Sequence, residues 1–186
     1  MRDLLLVIDM QNIYTLGQEW GCLDTEGAAC RINSLIDSRV CDEVIFTRYL
    51  APTAPTGVWR DYNIKYAHIN ANDWGNAMLP QFDGALQKYP LYTKSVYSSL
   101  AIPEVRSAAQ QADRVIITGV VAECCVLSTV MELIDAGIYT IYLTDAVSGF
   151  TQEKEAATEL ILSGLCPLHL NMMTVAEYLA LKESGN

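Results

Sequence analysis

The sequence has few of the residues that bind metals or build disulfide frameworks. It contains only two histidines, His68 and His169, and its six cysteines show no C-x-x-C spacing. Zinc ribbons and thioredoxin-like redox sites depend on such spacing, so neither is indicated. No export signal precedes the first apolar run, so we expect reduced thiols and a cytoplasmic protein.

Positive charge is also scarce. Lysine and arginine together number 12 against 22 aspartates and glutamates, which leaves a formal net charge of -10. This charge repels nucleic acid phosphates and anionic lipids, so we expect neither as a partner. The first apolar run ends at Asp9, and the richest, over residues 115–130, is interrupted by Glu123. A bilayer needs about 20 apolar residues in a helix, so no membrane span is predicted.

The chain does have 51% hydrophobic residues, in short runs that alternate with helical patterns. A length of 186 residues fits one domain, residues 1–186. Apolar and β-branched runs predict strands over residues 4–9, 43–47, 92–94, 114–118 and 139–144, and a late strand near His169. Helical patterns predict helices over residues 25–40, 78–86, 104–111, 123–136, 152–163 and 174–182.

This alternation predicts an α/β fold. We expect a three-layer α-β-α sandwich, Rossmann-like, with a mainly parallel sheet of about six strands. Thr25 is the expected N-cap of the first helix, and Gly137 is expected to end helix 123–136. Residues 50–76 show no period, and we expect a long loop there with one short helix; such loops are usually functional.

Three reactive side chains fall at the carboxyl ends of predicted strands, where ligands bind in open parallel sheets. Asp9 and Lys94 end the first and third strands, and Cys125 follows the fourth near the start of a helix. A thiol in the first helical turn meets the positive end of the helix dipole, which favours thiolate. A nearby lysine is expected to lower the pKa of this thiol, and Asp9 could take its proton.

Each of these residues also has a simpler explanation. Cys124 or Cys125 could be an inert core cysteine, Asp9 a buried ion-paired acid, and Lys94 a solvated surface residue. The vicinal cysteines leave open a thiol redox sensor, and a catalytically silent binding protein is a third alternative. Acid, ammonium and thiol together favour nucleophilic catalysis.

Three segments carry a resemblance to a known family. Residues 4–12 (LLLVIDMQN), 94–100 (KSVYSSL) and 119–126 (GVVAECCV) resemble, in order and spacing, the motifs of isochorismatase-like cysteine hydrolases. Residues 145–147 (DAV) are similar to the turn after the fifth strand of that family. The resemblance extends from Leu4 to about Ile161.

The resemblance implies a role for each motif residue. Cys125 would be the nucleophile, Asp9 the general base and then acid, and Lys94 the residue that holds their charges. The backbone N–H groups of Val121 and Cys125 would form the oxyanion hole. A cis peptide bond is implied between Val120 and Val121.

The sequence also departs from the family. Nicotinamidases of this superfamily bind a metal through an Asp-x-His segment after the second strand, but residues 47–52 read TRYLAP. We therefore expect no catalytic metal, no cofactor and no effect of chelators, and nicotinamidase activity is disfavoured. His169 is expected to be structural. Ala122 stands where the family usually has a small or hydroxyl residue. Since alanine has no hydroxyl, a possible hydroxyl contact with the substrate is missing.

The substrate pocket is expected to be aromatic. Tyr14 and Tyr97 stand beside the acid and lysine motifs, where the family has aromatic residues. Trp59, Tyr62 and Trp74, in the middle segment, could form a lid or wall, or instead take part in ordinary packing or a subunit interface. Arg48 could bind a substrate carboxylate, or form a surface salt bridge.

These observations predict a cysteine hydrolase of a small substrate. The expected substrate has an amide, ureido or related C–N bond, cleaved through a covalent thioester-type intermediate, and vinyl-ether hydrolysis of the isochorismatase type is the alternative. A homo-oligomer, either dimer or tetramer, is expected because family members commonly associate.

Overall fold

The structure is a computed structural model and describes residues 1–185. Six parallel strands form one sheet in the order β3-β2-β1-β4-β5-β6. The strands are β1 (Asp3–Ile8), β2 (Glu43–Tyr49), β3 (Leu91–Lys94), β4 (Arg114–Val120), β5 (Thr140–Ser148) and β6 (Leu170–Met173).

Helices connect the strands. They are α1 (Thr25–Ser38), α2 (Trp59–Lys65), α3 (Ala67–Asn70), α4 (Asp73–Asn76), α5 (Asp83–Leu86), α6 (Pro103–Gln111), α7 (Leu127–Asp135), α8 (Gln152–Ser163) and α9 (Val175–Glu183). Single 3₁₀ turns span Asn12–Tyr14, Pro80–Phe82 and Ser99–Ala101, and a π-helical turn spans Ala122–Val126. No helix within residues 1–185 is long and apolar enough to cross a bilayer.

Both faces of the sheet are covered, which explains why the central strands are apolar without alternation. Along β1, Leu5 and Val7 belong to the core that α1 and α9 complete. Leu4, Leu6 and Ile8 belong to the core on the opposite face, with α6, α7 and α8. The predicted three-layer α/β sandwich with a parallel sheet of six strands is confirmed.

The start of α1 differs from its prediction. Asp24, not Thr25, is the N-cap, and its side chain accepts a hydrogen bond from Gly27 N at 3.1 Å. The hydroxyl of Thr25 instead donates to Tyr14 O over 2.5 Å and is buried. Both residues have N-cap chemistry, and the packing of α1 beside residue 14 decides between them.

Three other elements were also predicted wrongly. The middle segment forms three short helices, α2 to α4, and not a loop with one helix. The helix predicted over 123–136 begins with a π-helical turn, so only residues 127–135 are α-helical. The turn predicted at 145–147 belongs to β5, which runs on to Ser148 because a register shift against β4 lets pairing resume at Gly119.

The order of the strands reverses between β1 and β4, and such a reversal opens a crevice at the carboxyl ends. Ile8, the last residue of β1, pairs with Thr47 on one side and with Gly119 on the other. Gly119 has φ +108°, and a Cβ there would lie 2.1 Å from Ile8 O. Only glycine allows this approach, which brings the end of β4 against the residue preceding Asp9.

Candidate active site

Asp9 is held in place by its backbone and by its side chain. It follows β1 with φ +52°, and its N–H donates to Thr47 O over 3.0 Å. Its carboxylate is fully buried, and Oδ1 accepts a hydrogen bond from Thr47 Oγ1 at 2.9 Å. A non-glycine residue with positive φ is uncommon and costs free energy unless its surroundings impose it, which is typical of functional positions.

Lys94 neutralises this buried acid. It ends β3, where it pairs with Tyr49 of β2, and its side chain is 0% exposed. Its Nζ donates to Asp9 Oδ2 over 2.5 Å and to Val96 O over 3.1 Å. Burial alone would lower the pKa of Lys94, but the nearby Asp9 and Cys125 outweigh burial and raise it above 10.5. The ammonium form is therefore favoured.

Cys125 lies in the π-helical turn that follows β4, and only 3% of its surface is exposed. The peptide bond between Val120 and Val121 is cis. The N–H groups of Cys124 and Val126, on either side of Cys125, both donate to Val121 O, at 3.0 and 3.2 Å. This tight turn fixes the backbone around the thiol.

The pKa of the Cys125 thiol is raised well above its ordinary value of 9.0. Burial is the main cause; Lys94 opposes the shift, while Asp9 adds to it. The expectation that the lysine and the helix dipole produce a lowered pKa is therefore wrong, because burial outweighs them. Since Asp9 and Lys94 both act on this thiol, acid, ammonium and sulfur lie close together.

A cavity of about 430 Å³ opens above Cys125. It is lined by Tyr14, Glu19, Trp20, Gly21, Tyr62, Tyr66, Tyr97, Val121, Cys124, Cys125, Phe150 and Lys154. Its volume fits a small molecule. Lys154 carries a charge into it, with Nζ 3.5 Å from Glu123 Oε1 and 4.9 Å from the centre of the Phe150 ring.

One wall of the cavity is built from aromatic rings. Trp20 stacks on Tyr14 with ring centres 6.0 Å apart and meets Tyr66 edge-on at 5.3 Å. Tyr62 and Tyr66, four residues apart, lie 4.8 Å from each other. The i, i+4 spacing of these two tyrosines is a sequence signal that the prediction of an irregular loop missed.

The predicted pocket residues do not all lie at the cavity. Tyr14 and Tyr97 line it. Trp59 only supports it from behind, with its ring centre 5.0 Å from that of Tyr97. Arg48 and Trp74 are not among the residues that line it: Arg48 Nε donates to Thr93 Oγ1 on the neighbouring strand at 3.0 Å, and Trp74 is 54% exposed. A charged side chain at the end of a strand can form its hydrogen bonds with a neighbouring strand as readily as with a ligand.

The histidines stand apart from each other. His68 Nε2 lies 2.7 Å from Glu19 Oε2 in an exposed hydrogen bond beside the cavity. His169 directly precedes β6, and its backbone N–H and C=O bond to Leu165 and Thr140. Within residues 1–185 no three His, Cys, Asp or Glu side chains are grouped so that they could hold a metal ion.

Tyr49 is clamped through its backbone but not through its hydroxyl. Gln11 accepts from Tyr49 N at 2.8 Å and donates to Tyr49 O at 3.0 Å, and the ring is only 5% exposed. The buried hydroxyl has no hydrogen-bond partner among residues 1–185. Burial, with a smaller effect of Cys125, raises the pKa of Tyr49 to about 12. An unpaired buried hydroxyl destabilises the fold.

We expect Tyr49→Phe to leave the free energy of unfolding unchanged or to raise it by about 1 kcal/mol, because it removes an unpaired hydroxyl. Tyr178→Phe is the matched control, since the Tyr178 hydroxyl donates to the buried Asp3 at 2.6 Å. That variant is expected to lose about 1–3 kcal/mol. Urea unfolding measures both, and an equal loss in the two variants would contradict the expectation.

The buried thiols predict a loss of stability at high pH. Burial raises the pKa of Cys22 and of Cys125 well above 9.0, so both stay protonated in the folded state while the unfolded chain ionises near pH 9.0. Above that pH the unfolded state binds fewer protons, and stability falls by up to about 1.4 kcal/mol per pH unit for each thiol.

Urea unfolding between pH 8 and 10.5 tests this slope. We expect Cys22→Ala to be less stable at pH 8 because it leaves a small cavity, but to lose stability more gradually above pH 9. A slope equal to that of the unsubstituted protein would show that Cys22 does not contribute to it.

A comparison with protein families shows which family the chain belongs to. A model of the Isochorismatase domain matches residues 3–166. The chain belongs to the isochorismatase family. It is therefore an isochorismatase-family hydrolase with an α/β fold. No curated protein matches this family member by sequence.

Several solved structures share the fold of this isochorismatase-family chain. A cysteine hydrolase from Pseudomonas syringae pv. phaseolicola 1448A aligns with a TM-score of 0.82 at 19% identity, covering 100% of this chain and 94% of that one. An isochorismatase-like hydrolase from Alkaliphilus metalliredigens gives 0.77 at 19% identity, covering 97% of both chains. A nicotinamidase/pyrazinamidase from Bacillus subtilis gives 0.73 at 18% identity, covering 93% and 100%. At these identities the likeness establishes the fold.

Proposed function

We propose that this protein is a cysteine hydrolase that cleaves a C–N bond of a small amide or ureido substrate. The observation that carries the proposal is the buried contact of Lys94 Nζ with Asp9 Oδ2 at 2.5 Å, since both groups act on Cys125, which lines the cavity. A charged pair buried this completely is costly in a core and is explained by chemistry at the adjacent thiol.

In the proposed reaction Asp9 takes the proton of the Cys125 thiol as the sulfur attacks the substrate carbonyl carbon. A C–S bond forms, and the electron pair of the C=O bond moves to oxygen. The N–H groups of Val121 and Cys125 are proposed to bind that oxyanion. Collapse of the intermediate breaks the C–N bond, and Asp9 returns the proton to the leaving nitrogen.

The second half of the reaction releases the product. Asp9 removes a proton from water, and the resulting hydroxide attacks the thioester carbon. The C–S bond breaks, and the proton on Asp9 returns to the sulfur, so that acid, amine and free thiol are left. The raised pKa of Cys125 is consistent with a neutral resting thiol that ionises only when proton transfer and attack occur together.

The proposed substrate is small and planar, because the cavity of about 430 Å³ has aromatic walls. The match to the Isochorismatase domain also favours a second candidate, hydrolysis of a vinyl ether. Two assays separate them: ammonia release from a panel of primary amides and carbamoyl compounds, and pyruvate release from isochorismate.

Each assay is run beside Cys125→Ala. Turnover of at least one amide that is lost in the variant supports the proposal. Pyruvate release that survives the substitution would favour the vinyl-ether reaction without a thiol nucleophile. Stoichiometric oxidation of Cys124 or Cys125 by peroxide, with no turnover in either assay, would favour a redox sensor.

We also propose the setting in which this reaction takes place. All six cysteines are free thiols, which supports a reducing, cytoplasmic compartment. We propose one domain over residues 1–186, a metal-independent reaction and a homo-oligomer. Light scattering at micromolar concentration measures the assembly, and activity lost in EDTA but restored by zinc or iron would overturn metal independence.

A further inference from the structure

Three buried hydroxyl residues connect the acid of the candidate site to the backbone of the turn that carries the thiol. Thr47, Ser99 and Thr129 come from β2, a 3₁₀ turn and α7, and each is 0% exposed. We call them the hydroxyl network. Their surroundings are apolar, since Ile8, Ile45, Leu100, Val126 and Val130 belong to the core on this face of the sheet. A buried hydroxyl is unfavourable unless it is hydrogen-bonded, so each bond in this set matters.

One half of the network reaches Asp9. Thr47 Oγ1 donates to Asp9 Oδ1 over 2.9 Å. Thr47 Oγ1 also lies 3.5 Å from Ser99 Oγ. Because a hydroxyl has one proton and that of Thr47 is committed to the carboxylate, Ser99 must donate in this second bond. Asp9 Oδ2 is bound by Lys94, so the two carboxylate oxygens are held by different groups.

The other half reaches Cys125. Ser99 N donates to Thr129 Oγ1 over 3.0 Å, and Thr129 Oγ1 donates to Cys125 O over 2.7 Å. Ser99 therefore donates in both directions, through its hydroxyl towards Asp9 and through its backbone N–H towards Cys125. Lys94 joins the network through Asp9, whose Oδ2 accepts a hydrogen bond from Lys94 Nζ, so the network connects to all three residues of the site.

We propose that Thr47, Ser99 and Thr129 are positioning residues that hold the Asp9 carboxylate and the Cys125 turn in one shared frame. This inference rests on the proposed function and adds to it three residues that contact neither substrate nor thiol. Proton transfer between sulfur and carboxylate depends on their separation and angle, so an error in either slows the chemical step more than binding.

Another explanation treats the two halves as independent. A threonine in a helix often donates to the carbonyl four residues earlier, as Thr129 does to Cys125, and Thr47 could simply satisfy a buried acid. Independent contacts would have additive effects on the activation free energy, so their effects on the rate would multiply, whereas the effects of a shared frame would not. A double-mutant cycle therefore distinguishes the two explanations.

The cycle uses Thr47→Val, Thr129→Val and the double variant, because valine has nearly the shape of threonine and lacks the hydroxyl. Thr47→Ser and Thr129→Ser are the matched controls that keep it. The probe is p-nitrophenyl acetate, whose acetyl group can be transferred to a cysteine thiol. We expect each valine variant to lower kcat about tenfold with KM changed less than about twofold.

We expect the serine variants to retain at least about half of kcat. The kcat of the double valine variant is expected to be only slightly lower than that of the less active single valine variant. Two tenfold effects that multiply to about a hundredfold would overturn the shared frame. So would valine variants with unchanged kcat. If Thr47→Val does not fold by circular dichroism, Ser99→Ala replaces it in the cycle, and the same outcomes apply.

A Cys125→Ala sample separates the two levels of inference. If that variant hydrolyses the probe as fast as the unsubstituted protein, the proposed function fails. If it is inactive while the valine variants are unaffected, the thiol chemistry stands and only the hydroxyl network loses its role.

Discussion

Replacing Cys125 with alanine is expected to lower kcat for any hydrolysed substrate by at least about 10³-fold, because it removes the proposed nucleophile that forms the thioester. The fold should be preserved, because the substitution removes only one sulfur atom from this buried side chain. The variant should still bind substrate in the cavity, and its thermal unfolding should shift upward when the substrate is added. The measurement is turnover under saturating substrate together with a thermal melt.

Two other cysteines provide controls for this substitution. Cys30 is exposed on α1, and Cys30→Ser is expected to keep full activity while removing one site of iodoacetamide labelling. Cys124 lines the cavity beside Cys125, and Cys124→Ser is expected to alter KM more than kcat. If Cys124→Ser loses the chemical step and Cys125→Ala does not, the nucleophile is Cys124 and the assignment to Cys125 is wrong.

Replacing Lys94 with methionine is expected to damage stability and activity together. Lys94 and Asp9 have side chains that are 0% exposed, so the substitution leaves a buried carboxylate without its counter-charge. Breaking a buried pair in this way costs about 3–5 kcal/mol, although the pair itself need not be net stabilising. Urea unfolding at pH 7 measures the loss, and turnover of the same samples should fall to the background rate.

The double variant Asp9→Asn/Lys94→Met isolates the cause. Asparagine is neutral and can still accept from Thr47, so the uncompensated charge disappears while the shape of the site is kept. We expect most of the lost stability to return and the activity to remain absent. If stability does not return, the loss came from packing around residue 94; if activity returns, the pair has no role in chemistry.

The ends of the strands were predictable because parallel strands that are covered on both faces are continuously apolar in sequence. Residues 4–8 are apolar without alternation, which requires cover on both faces, and Asp9 then marks the point where the strand reaches the edge of the sheet. The same reasoning placed Lys94 at the end of β3 and Cys125 after β4. Strand order could not be deduced from these runs, because parallel pairing leaves no local signature in the chain.

The walls of the cavity were much less predictable. Tyr62 was a candidate wall residue in a segment predicted to be an irregular loop, but Tyr66, Phe150 and Lys154 were not predicted, and all four line the cavity. Their neighbours come from other parts of the chain, as in the contact of Trp20 with Tyr66. Arg48 shows the converse: it is at the right end of a strand, but Thr93 on the adjacent strand binds it instead.

The sequence alone determined that this chain builds a covered parallel sheet and carries an acid, a lysine and a cysteine at strand ends, because local periodicity and position encode both. Tertiary structure decided how those groups behave. Burial raises the pKa of the Cys125 thiol although Lys94 opposes it, and the extent of burial depends on residues distant in the chain. The hydroxyl network was settled in the same way, since three of its four bonds join elements that are distant in the chain and that only the folded protein brings together.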